Sequence, residues 1–185
     1  MKKMLLAVDC QYDFINGSLA AKGSGERIDK LAKFVEDADY AVKVFTADWH
    51  PYDHCSFVQH GGIWPRHCVR HTHGASIYQP LVDAAIHAGG ALFVLEKGDS
   101  KDREEYSIFD NAVSAERLVK IFDSYDIDRV DICGIATEYC VKESLVGAVE
   151  RFGAEKMCVL KDFVCPIEDE HALDGLIDKF NIKVE

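Results

Sequence analysis

The chain has 185 residues, 48% of them apolar, and a formal net charge of −11. That size and apolar content suit a single domain spanning residues 1–185 with a substantial core, and they argue against a disordered chain. The acidic balance argues against nucleic acid and anionic membrane as main partners, because both require a basic surface, and no apolar run approaches membrane-spanning length.

Met4–Val8 is a short apolar run closed by Asp9, too short for a signal-peptide core, and it reads as a buried strand. Glu26–Ala38 sets Ile28, Leu31, Ala32 and Val35 at helical spacing. Tyr40–Thr46 is β-rich and leads to Asp48, where a histidine-rich loop begins. Ile77–Ala88 reads as a helix closed by Gly89-Gly90, and Ala91–Leu95 as a buried strand ended by Glu96-Lys97-Gly98. After a polar loop to about Asn111, Ala115–Tyr125 is a helix with Leu118, Ile121 and Phe122 on one face. Arg129–Cys133 is a strand, Glu138–Phe152 a helix, Lys156–Leu160 a strand, Glu168–Phe180 a helix and Ile182–Val184 a last strand. Continuous apolar strands separated by amphipathic helices predict an α/β fold with a parallel sheet covered on both faces. Ligands in such folds bind beyond the carboxyl ends of the strands. That rule singles out Asp9, Asp48, Lys97 and the turn from Gly134 to Cys140.

Residues 48–73 hold His50, His54, His60, His67, His71 and His73, six of the eight histidines, together with both tryptophans, Trp49 and Trp64. Imidazole is the commonest protein metal ligand. Asp48, His50 and His67 supply a carboxylate and two imidazoles, which suits zinc, iron or manganese with positions left open. A structural zinc site through Cys55, His60, Cys68 and His71 is the weaker alternative, because its spacing lacks paired close ligands. Seven cysteines with no C-x-x-C pair favour reduced thiols and a cytoplasmic location. Cys10, Cys133, Cys158 and Cys165 fit core positions. Cys140 follows a strand-to-helix turn, where a helix N-terminus lowers a thiol pKa and offers N–H groups to an oxyanion, so nucleophile and core residue are both open readings. Asp9 is a candidate general base and Lys97 a candidate partner for it. Phe14, Trp49, Trp64 and Tyr106 are candidate walls of an aromatic pocket.

Five motifs then occur in order: Val-Asp-Cys-Gln-Tyr-Asp-Phe at 8–14, Thr-Ala-Asp-Trp-His-Pro-Tyr-Asp-His-Cys-Ser-Phe at 46–57, Trp-Pro-Arg-His-Cys-Val at 64–69, Lys-Gly at 97–98 with Tyr-Ser-Ile-Phe at 106–109, and Gly-Ile-Ala-Thr-Glu-Tyr-Cys-Val at 134–141. With them the chain resembles the nicotinamidases (pyrazinamidases) of the isochorismatase-like cysteine hydrolase superfamily. The resemblance implies a three-layer α/β/α fold with a six-stranded, mainly parallel sheet. It implies a metal-containing cysteine amidohydrolase that turns nicotinamide into nicotinate and ammonia through a Cys thioester, in NAD salvage. It implies a catalytic triad of Asp9, Lys97 and Cys140, and an oxyanion hole from the backbone of Ala136 and Cys140 with a cis peptide before Ala136. One divalent ion, zinc before iron or manganese, would be held by Asp48, His50 and His67, with His60 as an additional contact. Phe14, Trp64 and Tyr106 would border the substrate ring. Glu138 stands where family members often have Asp. The implied partner is a small molecule, nicotinamide and by extension pyrazinamide, and homo-oligomer formation is left open. The competing readings are an amidase for a ureido or carbamoyl compound and a metal-binding module without catalysis.

Overall fold

The apolar runs of the sequence form the strands of one sheet in the computed structural model, which describes residues 1–185. The strands are β1 (Lys3–Val8), β2 (Val42–Asp48), β3 (Ala91–Lys97), β4 (Arg129–Ile135), β5 (Met157–Cys165) and β6 (Lys183–Val184). They lie in the order β3-β2-β1-β4-β5-β6, and every pairing is parallel. The helices are α1 (Tyr12–Ile15), α2 (Ser24–Glu36), α3 (Gln79–His87), α4 (Ala112–Ser124), α5 (Lys142–Phe152) and α6 (Asp174–Phe180). No helix is long and apolar enough to cross a membrane.

Side chains of a strand alternate between faces, and β1 shows why its run is apolar throughout. Met4, Leu6 and Val8 enter one core with residues of α4 and α5, such as Leu118 and Leu145. Leu5 and Ala7 enter the other, with Ile28 and Leu31 of α2 and Leu81 of α3. Each such side chain contributes about 1.5–3 kcal/mol when fully buried. Two cores, one on each face, make three layers and fix the sheet between the helices.

Four elements depart from the sequence reading, one of them β5, which runs on past the expected end at Leu160 to Cys165. The helix expected over 138–152 begins as a π-helical turn, Thr137–Val141, before α5 takes over at Lys142. The helix expected from Glu168 starts only at Asp174, because the N–H groups of Ile167, Glu168 and Asp169 all turn towards the carboxylate of Glu138. The short α1 went unread, since four residues carry too little periodicity to register.

The strand order reverses direction between β1 and β4, and an open α/β sheet leaves a crevice at such a point. Here the two strands approach closely at Val8 and Gly134, which are register partners. Gly134 has φ 121°, and a Cβ on it would overlap the Val8 backbone. Gly134→Ala should therefore lower the unfolding free energy by about 2–4 kcal/mol in urea titration. A loss below about 0.5 kcal/mol would mean that β1 and β4 part at little cost.

Candidate active site and metal centre

Asp9 leaves β1 in a left-handed conformation, φ 49°. Thr46 of the neighbouring β2 secures it: the Asp9 N–H is shared between the Thr46 carbonyl and hydroxyl oxygens, each at 3.2 Å, and the Thr46 hydroxyl donates to Asp9 Oδ1 at 2.6 Å. Lys97 closes β3 directly opposite Asp48 at the end of β2. The Lys97 ammonium is fully buried. It lies 2.9 Å from Asp9 Oδ2, pairs with Asp48 Oδ1, and donates to the Glu105 carbonyl at 3.3 Å and to Cys140 Sγ at 3.5 Å. One cation thus joins two carboxylates and a thiol, and its buried charge is matched rather than left alone.

These neighbours set the proton affinities. Burial pushes the Asp9 carboxyl up, and the nearby Asp48 charge adds to this against the pull of Lys97. Asp48 is desolvated as well, but Lys97 and His50 together hold it well below the usual carboxylate range. Burial pushes the Cys140 thiol well up, more than Lys97 pulls it down. The helix start expected at Cys140 is a π-helical turn, Thr137–Val141, and the thiol is buried there. The Asp9 carboxylate and the Cys140 sulfur lie within 4.8 Å of one another.

Beside this trio, Asp48, His50 and His67 bring three buried ligand atoms within 4.8 Å of one another. Each imidazole is oriented by its other nitrogen, His50 Nδ1 on the Gly98 carbonyl at 2.9 Å and His67 Nδ1 on the Pro65 carbonyl at 2.8 Å. That arrangement fixes which nitrogen is free to ligate. The Nε2 atoms face Asp48 Oδ2 at 3.4 and 3.9 Å, and His50 Nε2 is buried with no hydrogen-bond partner. A buried, unpaired imidazole nitrogen aimed at a carboxylate is costly unless an ion joins them, so these residues fit a divalent cation. Gly98 admits the His50 ring, since a Cβ there would fall 2.5 Å from Cε1.

The other histidines of the loop behave differently. His60 is exposed on a 3-10 turn and lies outside the ligand cluster; the expected additional contact is not formed, because that turn faces solvent. His54 is buried and stacks on His50 with centroids 4.0 Å apart, held by Ser56 at 2.7 Å and the Arg103 carbonyl at 2.9 Å. His71 and His73 are exposed, and Cys55, His60, Cys68 and His71 are not brought together.

A small cavity opens over Cys140 and reaches Asp48 and His67 of the metal-ligand cluster. Phe14, Trp64 and Tyr106 line it, as do Asp48, His67, Ala136 and Cys140. The Trp64 indole N–H donates to the Tyr106 hydroxyl at 3.1 Å. The Ile135–Ala136 peptide is cis. Trp49 stays outside the cavity and packs edge-on against His71. Four further lining residues, Leu19, Glu104, Tyr139 and Ile167, were not legible as such in the sequence. Nor were two residues of the first motif that serve the site indirectly. Gln11 holds the Asp48 backbone at both N–H and carbonyl, each at 2.8 Å. The Asp13 carboxylate accepts the N–H of Cys68, next to His67, at 2.7 Å. Their motif was a signal, but side chains that bind backbone carry no pattern of their own.

A family model described as the Isochorismatase domain matches residues 3–173. A nicotinamidase/pyrazinamidase of Mycobacterium tuberculosis is 34% identical, over 99% of this chain and 97% of its own length. Among solved structures, a pyrazinamidase of Pyrococcus horikoshii in complex with zinc superposes with a TM-score of 0.79 at 31% identity, covering 100% of this chain and 99% of its own. PnC1 from L. infantum in complex with nicotinate gives 0.85 at 30% identity, covering 100% and 92%.

The ligand geometry makes a prediction that needs no assay of turnover. Protein dialysed against trace divalent metal should retain about one ion per chain by elemental analysis, His67→Ala should lose most of it, and His60→Ala should keep it. Equal metal content in His67→Ala and the parent would place the ion elsewhere.

Proposed function

The chain belongs to the isochorismatase family, and we propose that it is a metal-containing cysteine amidohydrolase that converts nicotinamide to nicotinate and ammonia. The observation that carries this reading is one cavity lined by Cys140, Asp48 and His67, with Asp9 and Lys97 buried against Cys140 and with His50 completing the ligand cluster. Residues 1–185 act as one hydrolase domain.

In this mechanism Asp9 takes the proton of Cys140 Sγ, and the sulfur attacks the carboxamide carbon. The raised proton affinity of Asp9 suits it to that exchange. The negative oxygen of the tetrahedral adduct meets the N–H groups of Ala136 and Cys140; one such donor is worth roughly 3 kcal/mol of barrier. Asp9 hands its proton to the departing nitrogen, ammonia leaves, and an acyl thioester remains. Water then gives a proton to Asp9 and attacks the thioester carbon, nicotinate leaves, and the thiol regains its proton from Asp9. Lys97 keeps Asp9 in place and balances charge as the proton moves. Phe14, Trp64 and Tyr106 offer flat apolar surface to the ring, and a carbamoyl compound without a ring would leave it unused.

Zinc is the ion we assign to Asp48, His50 and His67, by analogy with the zinc-bound pyrazinamidase, and when bound it supplies a position that a pyridine nitrogen can occupy. The reaction returns nicotinamide to NAD synthesis. Its compartment on this reading is the cytoplasm, where seven cysteines without a disulfide are at home.

Ammonia release from nicotinamide tests the reading. Cys140→Ala should lower kcat on the order of 10³-fold or more, chelation should abolish turnover until metal is restored, and benzamide, which lacks the ring nitrogen, should be a poor substrate. Undiminished release by Cys140→Ala would remove the nucleophile, and equal turnover of benzamide and nicotinamide would remove the ring-nitrogen contact.

A further inference from the structure

Glu138 is the one charged side chain on the turn that carries Cys140, two residues before it. Its carboxylate does not enter the Asp9–Lys97 cluster. It accepts the backbone N–H groups of three successive residues of the segment between β5 and α6: Ile167 at 3.0 and 3.1 Å through its two oxygens, Glu168 at 2.6 Å and Asp169 at 3.0 Å. Burial raises the proton affinity of this carboxyl, but those N–H groups and its own together bring it below the ordinary glutamate value. Glu138 therefore stays ionised at neutral pH, although Glu168, Asp169 and Glu170 follow in sequence.

The first residue of that segment to be tied, Ile167, lines the cavity over Cys140 and packs on the core beneath α2. The segment has no helix or strand of its own from Pro166 to Leu173. A chain of contacts thus runs from the nucleophile's turn, through one carboxylate, to one wall of the cavity. We propose that Glu138 is a positioning residue which holds Ile167 in place as a wall of the substrate pocket and thereby sets affinity for the ring rather than the rate of chemistry at Cys140. Hydrogen bonds to an ionised acceptor are about twice as strong as neutral ones, and three converging on one group outcompete the solvated, open form of the segment.

The substrate half of this inference rests on the nicotinamide reading, and the clamp half does not. Two measurements separate them. In Glu138→Ala the amides of Ile167, Glu168 and Asp169 should exchange with deuterium about tenfold faster, and KM for nicotinamide should rise about tenfold while kcat changes less than about threefold. Glu138→Gln, which keeps one acceptor oxygen without the charge, should fall between, and Glu138→Asp should recover part of the loss by restoring the charge one methylene short. Ile167→Ala should raise KM but leave exchange at Glu168 and Asp169 slow. Unchanged exchange in both Glu138→Ala and Glu138→Gln overturns the clamp, and a fall in kcat with KM held overturns the role in affinity. Were nicotinamide not turned over by the parent, the substrate reading would fail alone. Alkylation of Cys140 by iodoacetamide, read by peptide mapping, then reports pocket access: faster in Glu138→Ala supports the clamp, and an equal rate with equal exchange overturns it.

Discussion

The buried ammonium of Lys97 is the interaction on which the rest of the site depends. Lys97 ends β3 and Asp9 follows the last residue of β1, with β2 lying between them. Strands in a sheet are about 4.8 Å apart, so the two Cα atoms are separated by roughly two such steps. A lysine stem reaching from one side and an aspartate from the other cover that span, and Asp48 on the intervening strand meets the same ammonium on the way. Three strand ends are drawn to one charge, and the turn after β4 adds Cys140. Removing one partner from such a buried group costs about 3–5 kcal/mol, because the remaining charges stay desolvated. The parallel register that sets Asp48 opposite Lys97 is therefore part of the chemistry as well as of the fold.

The same cation divides the labour of the two carboxylates. Asp48 gives one oxygen to Lys97 and turns the other towards His50 and His67. Lys97, with His50 after it, holds this carboxyl well below the usual carboxylate range. The proton affinity of Asp9 is raised by burial and by the nearby Asp48 charge, which together outweigh the opposing pull of Lys97 and the Thr46 hydroxyl. Two acids in one site with affinities pushed in opposite directions fit the two roles proposed for them, a proton carrier and a cation ligand. Burial raises the proton affinity of the Cys140 thiol as well, which suits the proposed pairing with Asp9 as base.

What could be read in the sequence follows from where each residue sits. The strands were legible because both faces of the sheet are covered, which makes their runs apolar without interruption. Asp9, Asp48, Lys97 and the Cys140 turn were legible because polar residues at the ends of such runs are rare and the fold gathers strand ends on one edge. Direction and burial were not legible. His60 and His67 look alike in sequence, yet one ring points to solvent and the other to Asp48. Cys140 is near a helix start, which lowers a thiol pKa, and it is buried, which raises it more than Lys97 lowers it; that burial is invisible in a string of letters. Leu19, Tyr139 and Ile167 are ordinary apolar residues until the cavity is seen.

Precision at the strand ends would be of little use if the loops that close over them wandered. The chain solves this with polar side chains that bind backbone rather than one another. Gln11 takes the N–H and carbonyl of Asp48, Asp13 takes the N–H of Cys68, and Glu138 takes three N–H groups beyond β5. Each links a residue near a strand end to a segment that carries a ligand or a pocket wall. Backbone groups in a loop must find partners when they are buried, and a side chain that satisfies them also fixes where the loop lies. Geometry good enough for a proton transfer and a ring contact in one cavity thus comes from two sources: a sheet that sets the charges, and single carboxylates and amides that bring the loops to it.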